Sequence, residues 1–289
     1  MSLIPVLAVI GGSGLYNIQS LQDTETIEID TPFGKPSAPI IMGNLAGKRV
    51  AFLARHGIGH HLSPSEVPYQ ANIFALKMLG IPRIVSISAC GSLRDDYAPG
   101  HIVIPDNLFD FSKNRPHSFF GEGLVAHVGV ADPYCKELSK LVYEAVVQTG
   151  AITHNTATLI TIEGPRFSTR AESNTFRAWG MAIIGMTACP EAFLAREAEI
   201  CYSTMAHVTD YDVWHVSEEP VNVEMVVSTV QKNTAVAQNA IEYLLQTLPE
   251  TRSCDCCRAM ENAIITYRDR IPAETRRKLD LLIGKYLKE

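Results

Sequence analysis

No stretch of this chain approaches the roughly 18 consecutive apolar residues that a membrane-spanning helix requires, so a helical membrane protein is not expected. Basic runs are also missing. The chain carries 25 lysines and arginines against 31 aspartates and glutamates, a formal net charge of −6. That balance argues against a broad nucleic-acid face. A small anion is a different matter, because one or two arginines and a few backbone N–H groups suffice to bind it. The first ten residues lack a charged leader and a small-residue cleavage site, and they run straight into Gly11-Gly12-Ser13-Gly14. They read as a first strand, and the protein is expected to be cytoplasmic. Cysteine is sparse and odd in number. Of the seven, Cys90, Cys135, Cys189 and Cys201 are scattered, while Cys254, Cys256 and Cys257 cluster near the end. A disulfide framework does not fit such a chain. The clustered three read as surface thiols, with metal binding, redox pairing or cross-linking left open.

What is present is globular in character, with 46% hydrophobic and 19% charged residues among 289. That length suits one large sheet-centred unit. Apolar runs at 6–10, 49–54, 83–88, 101–105, 158–162, 182–186 and 200–208 read as buried strands. Helical periodicity covers 69–79, 133–149, 171–179, 190–199 and 223–248, with Pro190 placed for a first turn. Alternation of the two implies an α/β fold with a mostly parallel, mixed sheet. Residues 1–248 form the expected domain. From Pro249 the character changes, and 249–289 reads as a C-terminal helical appendage of the same structural unit.

Strand after strand ends in a polar or glycine-rich tip, and in open α/β sheets ligands sit at the carboxyl ends of strands. Gly11-Gly12-Ser13-Gly14 permits an anion to approach backbone N–H groups, although a plain tight turn fits equally well. It is no dinucleotide fingerprint, since Asn17 stands where a glycine or alanine is needed. Arg55-His56 offers a forked donor set and one more donor to an anion. His60 and His61 follow closely, but no matched cysteine or carboxylate completes a zinc set there, and no metal is expected. Asp210-Tyr211-Asp212 puts two carboxylates at one strand end. They suit a metal, an acid/base pair, a reader of an amino group, or simply a helix cap. A serine hydrolase is discounted, because no Gly-x-Ser-x-Gly elbow is present.

Taken together, these tips resemble the trimeric purine nucleoside phosphorylase and methylthioadenosine phosphorylase family, over roughly residues 6–248. The resemblance rests on eight ordered motifs. They are Gly11-Gly12-Ser13-Gly14-Leu15, Asp30-Thr31-Pro32-Phe33-Gly34-Lys35-Pro36-Ser37, Ala54-Arg55-His56-Gly57, Tyr69-Gln70-Ala71-Asn72, Ala89-Cys90-Gly91-Ser92-Leu93, Glu163-Gly164-Pro165-Arg166-Phe167-Ser168, Gly185-Met186-Thr187 with Pro190-Glu191, and Thr209-Asp210-Tyr211-Asp212. It implies a single-domain α/β fold with a mixed central sheet flanked by helices, assembled as a homotrimer or a dimer of trimers. Ser13, Arg55, His56, the Ala89 N–H and Thr187 would hold phosphate. Met186 would lie against the ribose, Phe167 and Ile184 would flank the base, and Asp210 and Asp212 would meet its edge.

The implied reaction is phosphorolysis of a purine nucleoside, with phosphate as co-substrate and no metal or organic cofactor. The 6-oxopurine branch carries Glu and Asn where this chain has Ser168 and Asp210. A carboxylate accepts from a 6-amino group, so the pair reads adenine. Val223, Val226 and Val227 match the helix lining the 5′ pocket of the methylthioadenosine branch, and His127 would approach that pocket from a neighbouring subunit. The implied substrate is therefore 5′-methylthioadenosine. Adenosine, inosine, guanosine or methylthioinosine phosphorolysis is the alternative within the family, hydrolysis by water the next, and a non-catalytic nucleoside binder the rival from another class.

Overall fold

The computed structural model describes residues 4–12, 18, 20–215 and 223–287, and within the last helix-bearing stretch the side chains of 223 and 225–232 lie outside the description. Strand β1 (Leu7–Gly11) is buried along its whole length, as a strand covered on both faces must be. It lies parallel to both β4 (Lys48–Ala54) and β5 (Arg83–Ser92). Alternation at period two sends its side chains into two cores. Ala8 and Ile10 join one cluster with Ile73 and Leu76, and Leu7 and Val9 join another with Leu244 and Leu245. Helices α1 (Tyr69–Met78) and α4 (Ala188–Glu197) supply the first core, and α2 (Lys136–Gln148) and α5 (Val223–Thr247) the second. Helices therefore cover both faces of the sheet.

The remaining strands are β2 (Gln22–Ile27), β3 (Ile40–Leu45), β6 (Ile102–Val103), β7 (Asn107–Phe111), β8 (Thr153–His154), β9 (Thr158–Ile162), β10 (Ile183–Gly185) and β11 (Cys201–Asp210). The order is β2-β3-β4-β1-β5-β10-β9-β7, and β11 pairs with both β5 and β6. Each apolar run singled out in the sequence contains a strand. The additional β2, β3, β7 and β8 lack that signature for clear reasons. β2 reads QDTETI and is an exposed edge, and β3 is interrupted by Gly43 and Asn44. β3 and β4 close on a two-residue turn, Ala46-Gly47, with φ of 51° and 74°, the geometry of the tight hairpin type that favours glycine.

The helix expected from 133 begins at Lys136, because the Cys135 thiol caps it by accepting the Leu138 amide. Helix α3 (Arg170–Ala178) begins at a capping box of Thr169 and Glu172. Beyond 248 the tail forms α6 (Ala273–Ile283) and sends Met260, Ala263, Leu279, Leu282 and Ile283 into the same core as Ala8 and Ile10.

Candidate active site

Strand β5 has three partners, and the way they succeed one another opens the site. β1 pairs with it through Ser86, and β10 takes over, antiparallel, from Gly91. On that side residues 87–90 have no strand partner. Two of them, Ser88 and Ala89, are the first part-exposed positions on a strand buried from Arg83 to Ile87. The split is flanked by the tips of β1 and β4 on one side and by Gly185, Met186 and Thr187 on the other. Crevices where strand order breaks are where α/β sheets bind ligands.

The β4 tip supplies Arg55 and His56. Arg55 does not extend into the crevice as an open fork. It is buried beneath it, with Nε donating to Glu191 Oε2 at 2.8 Å and Nη2 to Glu191 Oε1 at 3.0 Å. Its other donors reach the Ile87 carbonyl and the Ser86 hydroxyl, so the side chain ties the ends of β1 and β5 to α4. Burial acts to lower its pKa, but the Glu191 charge and hydrogen bonds outweigh it and hold the guanidinium charged. His56 lies next to this charge. Burial first, and then Arg55, pull its imidazole down to about 4. The ring is therefore neutral near pH 7. Its Nδ1 lies 2.9 Å from the Leu62 carbonyl, which can only accept, so Nδ1 carries the proton and Nε2 presents a lone pair. The histidines of this loop pack on one another and on the backbone. His56 stacks on His60 at 4.3 Å, and His61 turns back to the Ile58 carbonyl.

Across the crevice Thr187 stands at the head of α4, and its hydroxyl caps no helix amide. Helix N-termini favour anions. Ala89 faces this turn, its carbonyl 3.8 Å from the point where a side chain on Gly185 would begin. Ser13 lies outside the described residues.

At the end of β11, Asp210 and Asp212 fold toward each other. The Asp212 amide donates to Asp210 Oδ1 at 2.7 Å and the Thr209 hydroxyl to Oδ2 at 2.7 Å. Burial pushes the Asp210 carboxyl up to about 6 despite those two bonds. Burial raises Asp212 too. The latter holds a φ of 52°, a left-handed conformation uncommon outside glycine that aspartate adopts more readily than most side chains. Gly91 makes the assembly possible. A Cβ there would fall 2.9 Å from Asp210 Oδ1 and 3.0 Å from Ile184.

Ser168 and Ser173 come up against Asp212, close enough for their hydroxyls to oppose its rise. None reaches full hydrogen-bond geometry: Ser168 Oγ, Ser173 Oγ and Asp212 Oδ2 are buried without a partner. Buried polar atoms left unpaired are costly and point to a ligand-facing role. Met186 packs on Gly164, with its sulfur 2.6 Å from where a Cβ would stand. Phe167 is 37% exposed on the loop before α3. A cleft of about 230 Å³ opens beside Ser168 and Gly164, walled by Phe111, Ile162 and Phe176.

The chain that builds this site has known relatives. A family model for the phosphorylase superfamily matches residues 6–246. The chain belongs to the phosphorylase superfamily. It is 50% identical, over 283 residues covering 98% of it and 99% of the relative, to an S-methyl-5′-thioadenosine phosphorylase of Geobacter sulfurreducens. A relative of the same name from Koribacter versatilis is 48% identical over 98% of this chain and 97% of its own. A solved methylthioadenosine phosphorylase from an antarctic soil metagenomic library superimposes with a TM-score of 0.92 at 45% identity, covering 96% of this chain and 98% of its own. The Schistosoma mansoni methylthioadenosine phosphorylase, solved in complex with adenine, gives 0.84 at 32% identity over 89% and 96%.

Three participants carry no role in the sequence reading of this superfamily member. Glu191 carries the Arg55 charge. Ser88 is part-exposed on β5 where its pairing passes from β1 to β10. Arg115 reaches from a loop to donate to the Met186 carbonyl at 2.6 Å, the Cys189 carbonyl at 2.8 Å and the Glu163 carbonyl at 2.6 Å, fastening both loops that frame the cleft. Nothing in the local sequence around Arg115 marks it, because its partners, mostly backbone carbonyls, are remote in the chain. Two further expected groups have these positions. His127 is exposed on a loop held to the tail by its own amide and the Ala263 carbonyl at 2.8 Å. Val223, Val226 and Val227 sit on the first turns of α5, with side chains outside the description. The thiols also differ from expectation. Cys256 is buried, and Cys135 and Cys201, far apart in sequence, join it and Cys254 in one cluster.

Proposed function

We propose that this chain cleaves the N-glycosidic bond of 5′-methylthioadenosine with inorganic phosphate, giving adenine and 5-methylthioribose 1-phosphate. The observation that carries the base assignment is the group at the end of β11. There a buried carboxyl with a pKa raised to about 6 stands beside unpartnered Asp212 and Ser168 oxygens. The names of the close relatives agree with it.

In this reading phosphate lies in the split beside β5, between His56, the Ala89 N–H, Thr187 and Ser13. The neutral His56 accepts the phosphate hydroxyl at Nε2. Arg55 acts from beneath, as a fixed charge that orders the strand tips. Phosphate oxygen attacks C1′ as the C1′–N9 bond breaks and its electron pair passes to the purine. Protonated Asp210 donates to N7 and so makes the base a better leaving group. Positive charge on the sugar is stabilised by the adjacent phosphate. Asp212 accepts from the 6-amino group, and a 6-oxo group there would leave that carboxylate facing an acceptor. Phe167 and Ile184 flank the base, Met186 supports the ribose, and Val223, Val226 and Val227 line the 5′ end. Phosphate is the co-substrate, and no other cofactor takes part. The working form is a cytoplasmic homo-oligomer, a trimer or dimer of trimers, in which exposed His127 faces a neighbour's 5′ pocket; light scattering of the purified protein tests its size.

The direct test is release of free adenine from 5′-methylthioadenosine with and without phosphate. Release that depends on phosphate is the expected result. Release without phosphate would make the protein a hydrolase, and turnover of methylthioinosine alone would reverse the reading of Asp210 and Ser168.

A further inference from the structure

Far from the crevice, four cysteines from three parts of the chain meet. Cys135 heads α2, Cys201 opens β11, and Cys254 and Cys256 belong to the tail. All four sulfurs lie within 4.8 Å of one another. Cys135, Cys201 and Cys256 are buried and Cys254 is half-buried. β11 runs from this cluster to Asp210, so the two sites stand about 30 Å apart along the strand.

The geometry points to a structural zinc site of four thiolates that fastens the C-terminal tail to the sheet. Tetrahedral zinc holds sulfur at about 2.3 Å, which places the sulfurs of a Cys₄ site about 3.8 Å from one another. The cluster brackets that spacing: Cys201 and Cys254, from different parts of the chain, are 3.3 Å apart, and no pair exceeds 4.8 Å. Four mutually close sulfurs fit a single central ion. An iron–sulfur cluster needs its cysteines spread over separate irons with sulfide between them. Tetrahedral all-sulfur sites select zinc among the common divalent ions.

The surroundings fit the charge such a site would carry. Zinc with four thiolates has a net charge of −2. Arg196 Nη1 points at Cys256 Sγ at 3.5 Å and Arg252 Nη1 at Cys201 Sγ at 3.8 Å, two guanidiniums that offset it. The Leu138 amide, at the positive end of α2, donates to Cys135 Sγ at 3.5 Å. Outer donors of this kind orient ligands and tune a metal site. The same arginines bind the tail to the core, since Arg252 also donates to the Pro82 carbonyl at 3.1 Å and the Glu199 carbonyl at 2.9 Å. The tail in turn holds the loop that carries His127, through the Ala126–Ile264 bridge. The ion would therefore set the position of a surface loop without touching substrate.

The test is metal analysis of the full chain, expressed with zinc available and purified without chelator. About one zinc per chain is expected, released by a thiol-specific mercurial in step with modification of the four cysteines. A Cys254→Ser/Cys256→Ser chain is expected to lose bound zinc by about tenfold or more. Should that variant fail to fold, cobalt exchanged into the wild-type protein gives a second readout, the intense visible bands of a tetrahedral thiolate site. Zinc-free protein whose intact mass shows the four cysteines joined as disulfides would overturn the proposal. So would zinc retained by the double variant, which would place it elsewhere, or iron and sulfide in place of zinc.

Discussion

Glu191 and Arg55 form a two-pronged ion pair at 2.8 and 3.0 Å, with side chains 0% and 2% exposed. Tyr202 adds a hydrogen bond to the same carboxylate at 2.8 Å. A buried pair of this kind contributes little over an apolar replacement, but removing one partner strands the other charge. Glu191→Ala is expected to cost about 3–5 kcal/mol of unfolding free energy, measured by denaturant titration. Arg55→Lys keeps the charge and loses the fork, and is expected to cost less than Glu191→Ala but still to raise the Michaelis constant for phosphate through disordered strand tips. Full stability in Glu191→Ala would mean that the pair does not hold the β1 and β5 ends to α4.

Asp210 links stability and activity in opposite senses. Its carboxyl is raised from 3.8 to about 6, so the folded state prefers it protonated. That contribution is complete below the unfolded pKa and is lost as pH rises through about 6. Asp210→Asn removes the buried charge and is expected to stabilise the protein at pH 8 by on the order of 2 kcal/mol. It also removes the proton donor to N7, so kcat/KM for 5′-methylthioadenosine is expected to fall about 10²–10⁴-fold. The limb near pH 6 in the kcat/KM profile should vanish with it. A variant that is both stabilised and active would remove Asp210 from the chemistry.

His56 separates the two substrates. Its ring is pulled down to about 4, so the free enzyme should show no histidine inflection in phosphate binding between about pH 5 and 8. His56→Ala is expected to raise the Michaelis constant for phosphate about 10- to 100-fold, the loss of one hydrogen bond to a charged ligand. The constant for the nucleoside should change far less. Equal effects on both substrates would show that His56 acts by holding the 56–62 loop through the Leu62 carbonyl, not by touching phosphate.

These residues also show where a sequence can be read and where it cannot. The strands that carry the crevice were legible because each is a short apolar run ended by a polar tip, as in Leu7–Gly11 and Cys201–Asp210. β2 was not, since an exposed edge strand of QDTETI buries nothing that would give it a period. Asp210 and Asp212 stood out by spacing. Arg55 stood out too, but its side chain faces Glu191, 136 positions away, and no local pattern encodes that direction. Arg115 was invisible for the same reason, with four backbone carbonyls and the Tyr69 hydroxyl, all remote in the chain, as partners. The thiols are the clearest case. Cys135 and Cys201 looked unrelated to Cys254 and Cys256 until the fold placed the start of β11, the head of α2 and the tail side by side.

His207 offers a test of the sheet independent of any substrate. It sits on β11 opposite Ala89, buried, and neither ring nitrogen has a hydrogen-bond partner among the described residues. Burial alone lowers its pKa from 6.5 to about 4. The native state therefore refuses a proton that the unfolded chain accepts. The stability this permits is complete above pH 6.5 and drains away as pH falls toward about 4. His207→Leu replaces the ring with an apolar side chain of about the same volume that needs no partner. It is expected to leave stability near pH 7.5 within about 1.5 kcal/mol of wild type. At pH 4.5 it should be the more stable protein by about 2 kcal/mol, because it has no group to protonate on unfolding. Denaturant titrations at the two pH values decide the matter. Parallel loss of stability in both proteins on acidification would assign the acid sensitivity to other groups and would mean that His207 finds a partner in solution.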